Sequence, residues 1–310
     1  TACCNHFKDI VWRNHFYSVE TVNRNYKATS LIESKQLEFE KFYEVQDIVN
    51  YHFQLHYTLK YMCSNKILYT SKNSINCFDL NTRSSFKVTS AINCISLDYD
   101  KETNLITGTN NTHGLIFNAS TNKLHKCPHF YPDDEAIGRI MFRTINQHKH
   151  LCVVGNDPSF YFYDMQRERT AHKFTGFSNL NDLDVSENNV IATAEDEIGI
   201  NLYDPRTPDN KIGTLNGHLD YNFSALFISE HLLATCGQDR QVIIWDLRNQ
   251  KAVNSLQTDY RCAYSLDFDK SKNLLFANEF SGKLLCYDLN NSDVSKSSFE
   301  YLGFSTGISI

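Results

Sequence analysis

Two short clusters bring together side chains that could hold a metal. Cys3, Cys4 and His6 place three potential ligands within four residues, and His148 and His150 stand two apart. A structural zinc site needs four such ligands within tetrahedral reach. Neither cluster nominates the missing ones by spacing, and no C-x-x-C occurs in the chain. No metal and no other cofactor is expected, and Gln147-His148-Lys149-His150 reads as a solvated turn between strands. Carboxylates gather at Asp133-Asp134-Glu135 and at Glu195-Asp196-Glu197. The first is most simply solvated charge on a loop; the second follows a strand. The glycine-rich phosphate loop, the nucleophile elbow, the H-E-x-x-H zinc helix and the dinucleotide fingerprint are absent. These residues point to a chain that binds rather than catalyses.

Any binding residues would be positioned by a repeat. Six times an aromatic residue followed by Asp or Asn closes an apolar run: Phe78-Asp79, Phe117-Asn118, Tyr163-Asp164, Tyr203-Asp204, Trp245-Asp246 and Tyr287-Asp288. The aromatic positions are 39, 46, 40, 42 and 42 residues apart. That period matches a WD40 propeller, in which each repeat supplies four strands. A β-sandwich has regular turns too, but no reason to repeat an aromatic–acid pair at this interval. The clean copy, GHLDYNFSALFISEHLLATCGQDRQVIIWD from Gly217 to Asp246, resembles the WD40 family closely. The resemblance implies a buried network. In it Asp239 holds His218, His218 reaches the Thr235 hydroxyl, and that hydroxyl meets the Trp245 indole N–H. A network with every member satisfied specifies one geometry. The other copies are degenerate: one keeps Thr193 and Asp196, another Asp157, and Phe280 stands where the last needs its turn Asp.

The expected fold is all-β, a WD40-type propeller of seven blades with four antiparallel strands each. Residues 46–310 would form the propeller, and residues 1–45, which lack the repeat, would pack on it or close it. Counting on from Tyr287 overruns the chain, and Tyr301–Ile310 opens like a first strand, so a seventh blade needs strands from the N-terminal segment. Pairing the two ends would remove open strand edges. His125 to Ala136 is the longest irregular excursion and stretches one interval. With only 12 glycines, Asn is expected at turns such as Asn110-Asn111 and Asn188-Asn189, because it tolerates positive φ. A formal net charge of −6 argues against a nucleic-acid surface. Several of the ten cysteines, including Cys77, Cys152, Cys236 and Cys286, lie in apolar runs and read as reduced, buried small hydrophobes. That usage points to a cytosolic or nuclear compartment. No run of 18 apolar residues occurs, so no membrane span is expected.

The WD40 resemblance also implies where partners would bind. The residues just before each turn Asp, and those entering each first strand, face one mouth of the channel. Carried onto this sequence, they are Asn156, Glu195, Gln238 and Glu279 from the turns, and Asp182, Tyr221, Tyr260 and Arg261 from the strand entries. Tyr and Arg dominate energetic centres of interfaces, although Tyr221 and Tyr260 packing between blades is an equal alternative. With Glu195 pointing to the rim, it or Glu279 could hold the α-ammonium of a peptide amino terminus. Longer stretches resemble a fungal and plant group of WD-repeat proteins: FYEVQDIVNYHFQLHYTLKYMCSNKILYTSKNSINCFDL, the blade from Gly217, and the closing LGFSTGISI. One member type in budding yeasts is a substrate receptor of the GID ubiquitin ligase. That resemblance implies a recognition subunit, with ligase scaffold subunits as stable partners and substrate N-termini as transient ones. Two other readings stay open, a general scaffold in signalling, trafficking or nuclear assembly, and a propeller enzyme.

Overall fold

The computed structural model describes residues 59–300 apart from 63–65, 72–73, 80, 83, 90–93, 95, 110–113, 122, 127–136, 156–158, 176–177, 208–210, 260, 281–282 and 291–294. Within them the chain makes six four-stranded antiparallel sheets, each a meander in sequence order. Sheet 1 is β1 (Leu59–Met62), β2 (Lys66–Ser71), β3 (Ser74–Asp79) and β4 (Ser84–Thr89). Sheet 2 is β5 (Ser96–Asp100), β6 (Leu105–Thr109), β7 (Gly114–Asn118) and β8 (Lys123–Lys126). Sheet 3 is β9 (Ile137–Ile145), β10 (His148–Gly155), β11 (Ser159–Asp164) and β12 (Arg169–Thr175). Sheet 4 is β13 (Leu180–Val185), β14 (Ile191–Glu195), β15 (Ile200–Tyr203) and β16 (Lys211–Leu215). Sheet 5 is β17 (Asn222–Phe227), β18 (Leu232–Gly237), β19 (Gln241–Asp246) and β20 (Lys251–Gln257). Sheet 6 is β21 (Ala263–Asp269), β22 (Leu274–Glu279), β23 (Lys283–Asp288) and β24 (Ser295–Glu300).

The first strand of each sheet packs on the first and second strands of the sheet before it. Thus β5 lies on β1 and β2, β9 on β5 and β6, β13 on β9 and β10, β17 on β13 and β14, and β21 on β17 and β18. One such step, repeated, sets the inner strands around an axis, which is the layout of a β-propeller. The described residues contain six sheets rather than the seven expected. The segments that were to complete the ring, 1–45 and 301–310, lie outside the described residues, as do Cys3, Cys4, His6, Asp133, Asp134, Glu135 and Asp157. The second strand β14 is buried at every position because Ile191 faces sheet 3 while Ala192 and Ala194 face sheet 5, and β22 is buried throughout as well, whereas the fourth strands β12 and β20 are largely exposed.

The repeated pair has a physical cause. Every one of the six aromatic rings is buried near the end of a third strand. The oxygen of the next residue then accepts the N–H two residues on: Asp79 from Asn81 (2.8 Å), Asn118 from Ser120 (2.9 Å), Asp164 from Gln166 (2.9 Å), Asp204 from Arg206 (2.9 Å), Asp246 from Arg248 (3.0 Å) and Asp288 from Asn290 (2.9 Å). This is an Asx turn, available to Asp and Asn alike. Asn also replaces glycine elsewhere. Asn104, Asn146, Asn189 and Asn273 have φ of 56°, 48°, 64° and 56° in the turns between first and second strands. His150 corrects the reading of a solvated turn. The turn is Asn146-Gln147, and His150 is buried in β10 with Nδ1 2.9 Å from the His148 carbonyl and its ring edge-on to Phe162. Burial holds its pKa below the usual histidine range.

Ionic ties run from sheet to sheet along the inner strands. Lys60 pairs with Asp98 at 3.0 Å, and Arg143 Nε–H donates to Asp184 at 2.7 Å. Those two carboxylates also accept main-chain N–H groups of the following sheets, Asp98 from Phe142 and Asp184 from Phe227, both at 2.8 Å.

Candidate partner-binding mouth

Turns between second and third strands, together with the entries to first strands, gather at one end of the fold. In sheet 5 that end is held by the network the sequence implies. His218 Nδ1–H donates to Asp239 Oδ2 at 2.8 Å, the Thr235 hydroxyl lies 2.8 Å from His218 Nε2, and Trp245 Nε1–H donates to Thr235 at 2.7 Å. The tautomer follows from these partners. Asp239 also accepts the N–H groups of Leu219 (3.0 Å) and Gln241 (3.1 Å). Burial raises the Asp239 pKa, but the His218 hydrogen bond and charge and these N–H groups outweigh it, leaving the carboxyl below its usual range. Gly217 precedes the histidine because a Cβ there would meet the Trp245 ring at 2.8 Å.

Sheet 4 departs from expectation. Glu195 is 1% exposed and points into the sheet, not to the rim. It accepts the Thr193 hydroxyl (2.6 Å), the Asn201 amide (2.8 Å) and, more weakly, the Ser178 hydroxyl (3.4 Å). Desolvation raises its pKa against the pull of these donors. Glu279 in sheet 6 is likewise fully buried, and it accepts the Arg261 N–H at 2.9 Å. Both carboxylates are enclosed because each already serves donors of its own blade. Phe280, in place of a turn Asp, joins a cluster with Tyr264 (5.1 Å between centroids), which in turn packs on Phe223 at 4.6 Å.

The remaining candidates divide. Asp182 is buried, ion-paired with Arg139 of sheet 3 and bonded by the Ser224 hydroxyl of sheet 5 at 2.8 Å, so it ties three sheets together and is not part of an open rim. Tyr221 and Gln238 are half-buried, joined by the Gln238 N–H donating to the Tyr221 carbonyl at 2.8 Å. Arg261 is exposed. Asn156 and Tyr260 lie outside the described residues. Three surface residues at this end were not foreseen: Ile198 (63% exposed), Leu219 (74%) and Arg240. Leu219 carried a signal, since it is a large aliphatic residue directly after the network histidine and outside any strand. Two side-chain acceptors here, Asn222 Oδ1 and Gln238 Oε1, have no donor among the described residues. A cleft of about 780 Å³ lies at the opposite end, between the β9–β10 and β13–β14 turns, and is lined by Arg143, Asn146, Glu187 and Asn189 among others.

No protein-family model matches the chain. A chain in a crystal structure of the mitotic checkpoint complex superposes with a TM-score of 0.76 over 96% of this chain and 93% of its own, at 12% identity, a likeness of fold. With the sheet 5 network, that decides the architecture. The chain folds as a β-propeller. Among curated proteins, it is 26% identical over 106 residues to DDB1- and CUL4-associated factor 10 of Xenopus laevis, which is 34% of this chain and 23% of the relative. It is 25% identical over 105 residues to the human protein of that name, which is 19% of the relative's length. It is 29% identical over 109 residues to ribosome biogenesis protein YTM1 of Candida albicans, 33% of this chain and 23% of the relative. The match thus spans about a third of this chain and under a quarter of each relative.

Proposed function

We propose that this chain is a non-catalytic protein-binding propeller that serves as the substrate-recognition subunit of a multi-subunit ubiquitin ligase, the GID-type assembly being the one its longer resemblance favours. The observation that carries the reading is the division of labour at the mouth. The groups that could do chemistry there (His218, Asp239, Glu195, Glu279) are consumed inside the sheets, while Leu219, Ile198 and Arg261 are exposed, and Tyr221 half-exposed, on turns and strand entries anchored to those sheets. Large apolar and Arg side chains on a stiff support are what an interface centre requires. The likeness to a protein named for association with DDB1 and CUL4 supports a factor that docks on a larger assembly. Recognition of substrate N-termini is the narrower form of the proposal; with Glu195 and Glu279 enclosed, an α-ammonium would have to find another acceptor at this mouth. The likeness to a ribosome biogenesis protein favours a second reading, an assembly scaffold without a degradation role.

Affinity purification of the full chain from its native source, followed by mass spectrometry, tests the two. Ubiquitin-ligase subunits are expected, with substrate capture reduced by Leu219→Asp and scaffold capture intact. Recovery of ribosome-assembly factors and no ligase subunit would overturn the first reading in favour of the second. Matched peptides with free and acetylated amino termini test the narrower form, which requires the acetylated ones to bind more weakly.

A further inference from the structure

The open charge where sheets 5 and 6 meet at the mouth is cationic, and it is built in. Arg240 follows the turn Asp239 with φ of 65°, and Arg261 enters sheet 6. Buried Thr258 joins them: its hydroxyl lies 3.0 Å from the Arg240 carbonyl and 2.7 Å from the Arg261 carbonyl, and its N–H donates to Arg240 at 3.0 Å. The Arg261 N–H is held in turn by Glu279. The two main chains are therefore fixed side by side at the seam of sheets 5 and 6. Both side chains are exposed, and among the described residues no carboxylate lies within ion-pair distance of either guanidinium. Lys283 and Lys296 close on the single carboxylate of Asp259 in the connection between β20 and β21. Asp239 and Glu279 lie beneath, already engaged by N–H donors. On a chain with a net charge of −6, this seam is a local positive field.

Across the mouth the sign reverses. Asp196 accepts the Asn179 and Asn181 amides, Glu197 is exposed, and Asp220 caps the Tyr221 N–H. Exposed Ile198 belongs to the β14–β15 turn of sheet 4, and exposed Leu219 to the entry of sheet 5, with its N–H held by Asp239 beside Arg240. We infer that the mouth binds an acidic segment of a partner protein, an aliphatic residue seated over Leu219 and Ile198 and Asp or Glu side chains over Arg240 and Arg261. Two guanidiniums offering paired N–H donors suit carboxylates, and among the described residues the carboxylates at this seam are already taken, Glu279 enclosed and Asp259 paired with two lysines. This rests on the reading of the chain as a protein-binding propeller and names the class of segment it takes.

Fluorescence anisotropy with the full chain tests it, using an N-acetylated labelled peptide that carries one leucine followed by a run of glutamates. Saturable binding is expected, weakening with salt because exposed charges are screened. The double variant Arg240→Glu/Arg261→Glu should bind roughly tenfold or more weakly, and Arg240→Lys/Arg261→Lys should recover part of the loss. Unchanged melting temperatures would show that the fold is intact, both side chains being exposed. Equal binding of the matching lysine peptide, or binding indifferent to the charge reversal, would overturn the inference. Loss of the peptide by a double variant that still co-purifies with ligase subunits supports it. Peptide binding by a chain that co-purifies with no assembly also supports it, and places the failure in the wider functional reading.

Discussion

In sheet 5 a histidine–aspartate pair carries the polar load beneath the mouth; in sheet 4 a single glutamate does. Thr235 and Thr193 occupy the same place in the two second strands, and Trp245 and Tyr203 the same place in the third. Above them the solutions part. His218 relays a hydroxyl on one side and a carboxylate on the other, so two side chains, Thr235 and Trp245, and two main-chain N–H groups depend on it and on Asp239. Glu195 reaches the threonine directly and takes Asn201 as its second donor. In both sheets the buried donors of the network find acceptors, and more than one set of side chains achieves it. The two sheets differ in how they should fail.

The largest expected effect is at Trp245, which is 1% exposed and packs into the seam between sheets 4 and 5. Trp245→Ala should cost about 3–5 kcal/mol in urea unfolding; a loss under half of that would mean the seam collapses around the cavity. Next comes the polar contrast. Asp239→Asn turns an amide donor toward groups that already donate and should cost roughly 1–3 kcal/mol. Glu195→Gln keeps an oxygen for Thr193 and Asn201 and an amide for Ser178, so it should stay within about 1 kcal/mol. Equal costs at the two positions would break the comparison.

The two carboxyls should also act with opposite sign in pH. The folded pKa of Asp239 is lowered, so its contribution is present above the ordinary carboxylate range and lost as pH falls through the folded value. The folded pKa of Glu195 is raised, so its contribution is present below the ordinary range and lost as pH rises through the folded value. Stability against pH for Glu195→Gln should therefore diverge upward from the unsubstituted protein on the alkaline side of that range. Asp239→Asn should close the gap on the acid side. Curves that run parallel would show that neither group is linked to folding. The smallest effect is expected at Asp246→Asn, because Asn118 already makes the same turn in sheet 2. A melting temperature unchanged at neutral pH checks it, and a clear drop would assign the turn to charge and the Arg248 pair instead.

The repeat was readable because its two halves have separate causes that both act locally. A buried ring ends each third strand, and an Asx turn needs only a side-chain oxygen and the next few residues. The sheet 5 network was readable for a related reason, since His218, Thr235, Asp239 and Trp245 each lie at a position set by one blade's own register. The mouth was not. Asp182 looked like a rim residue until Arg139 from sheet 3 and Ser224 from sheet 5 closed on it. His150 looked like part of a charged turn, but the turn came two residues earlier and the strand took the imidazole inside.

Strand order, blade period and turn chemistry belong to the linear chain, because each is decided by residues within one meander. Which acids face inward and which cations stay open belongs to the assembled ring. Arg240 and Arg261 are joined through Thr258 at the seam of sheets 5 and 6, and Asp182 is enclosed once Arg139 of sheet 3 and Ser224 of sheet 5 close on it. Long polar side chains choose their direction by the nearest unsatisfied partner, and that partner is brought by packing between blades, which strand periodicity does not record.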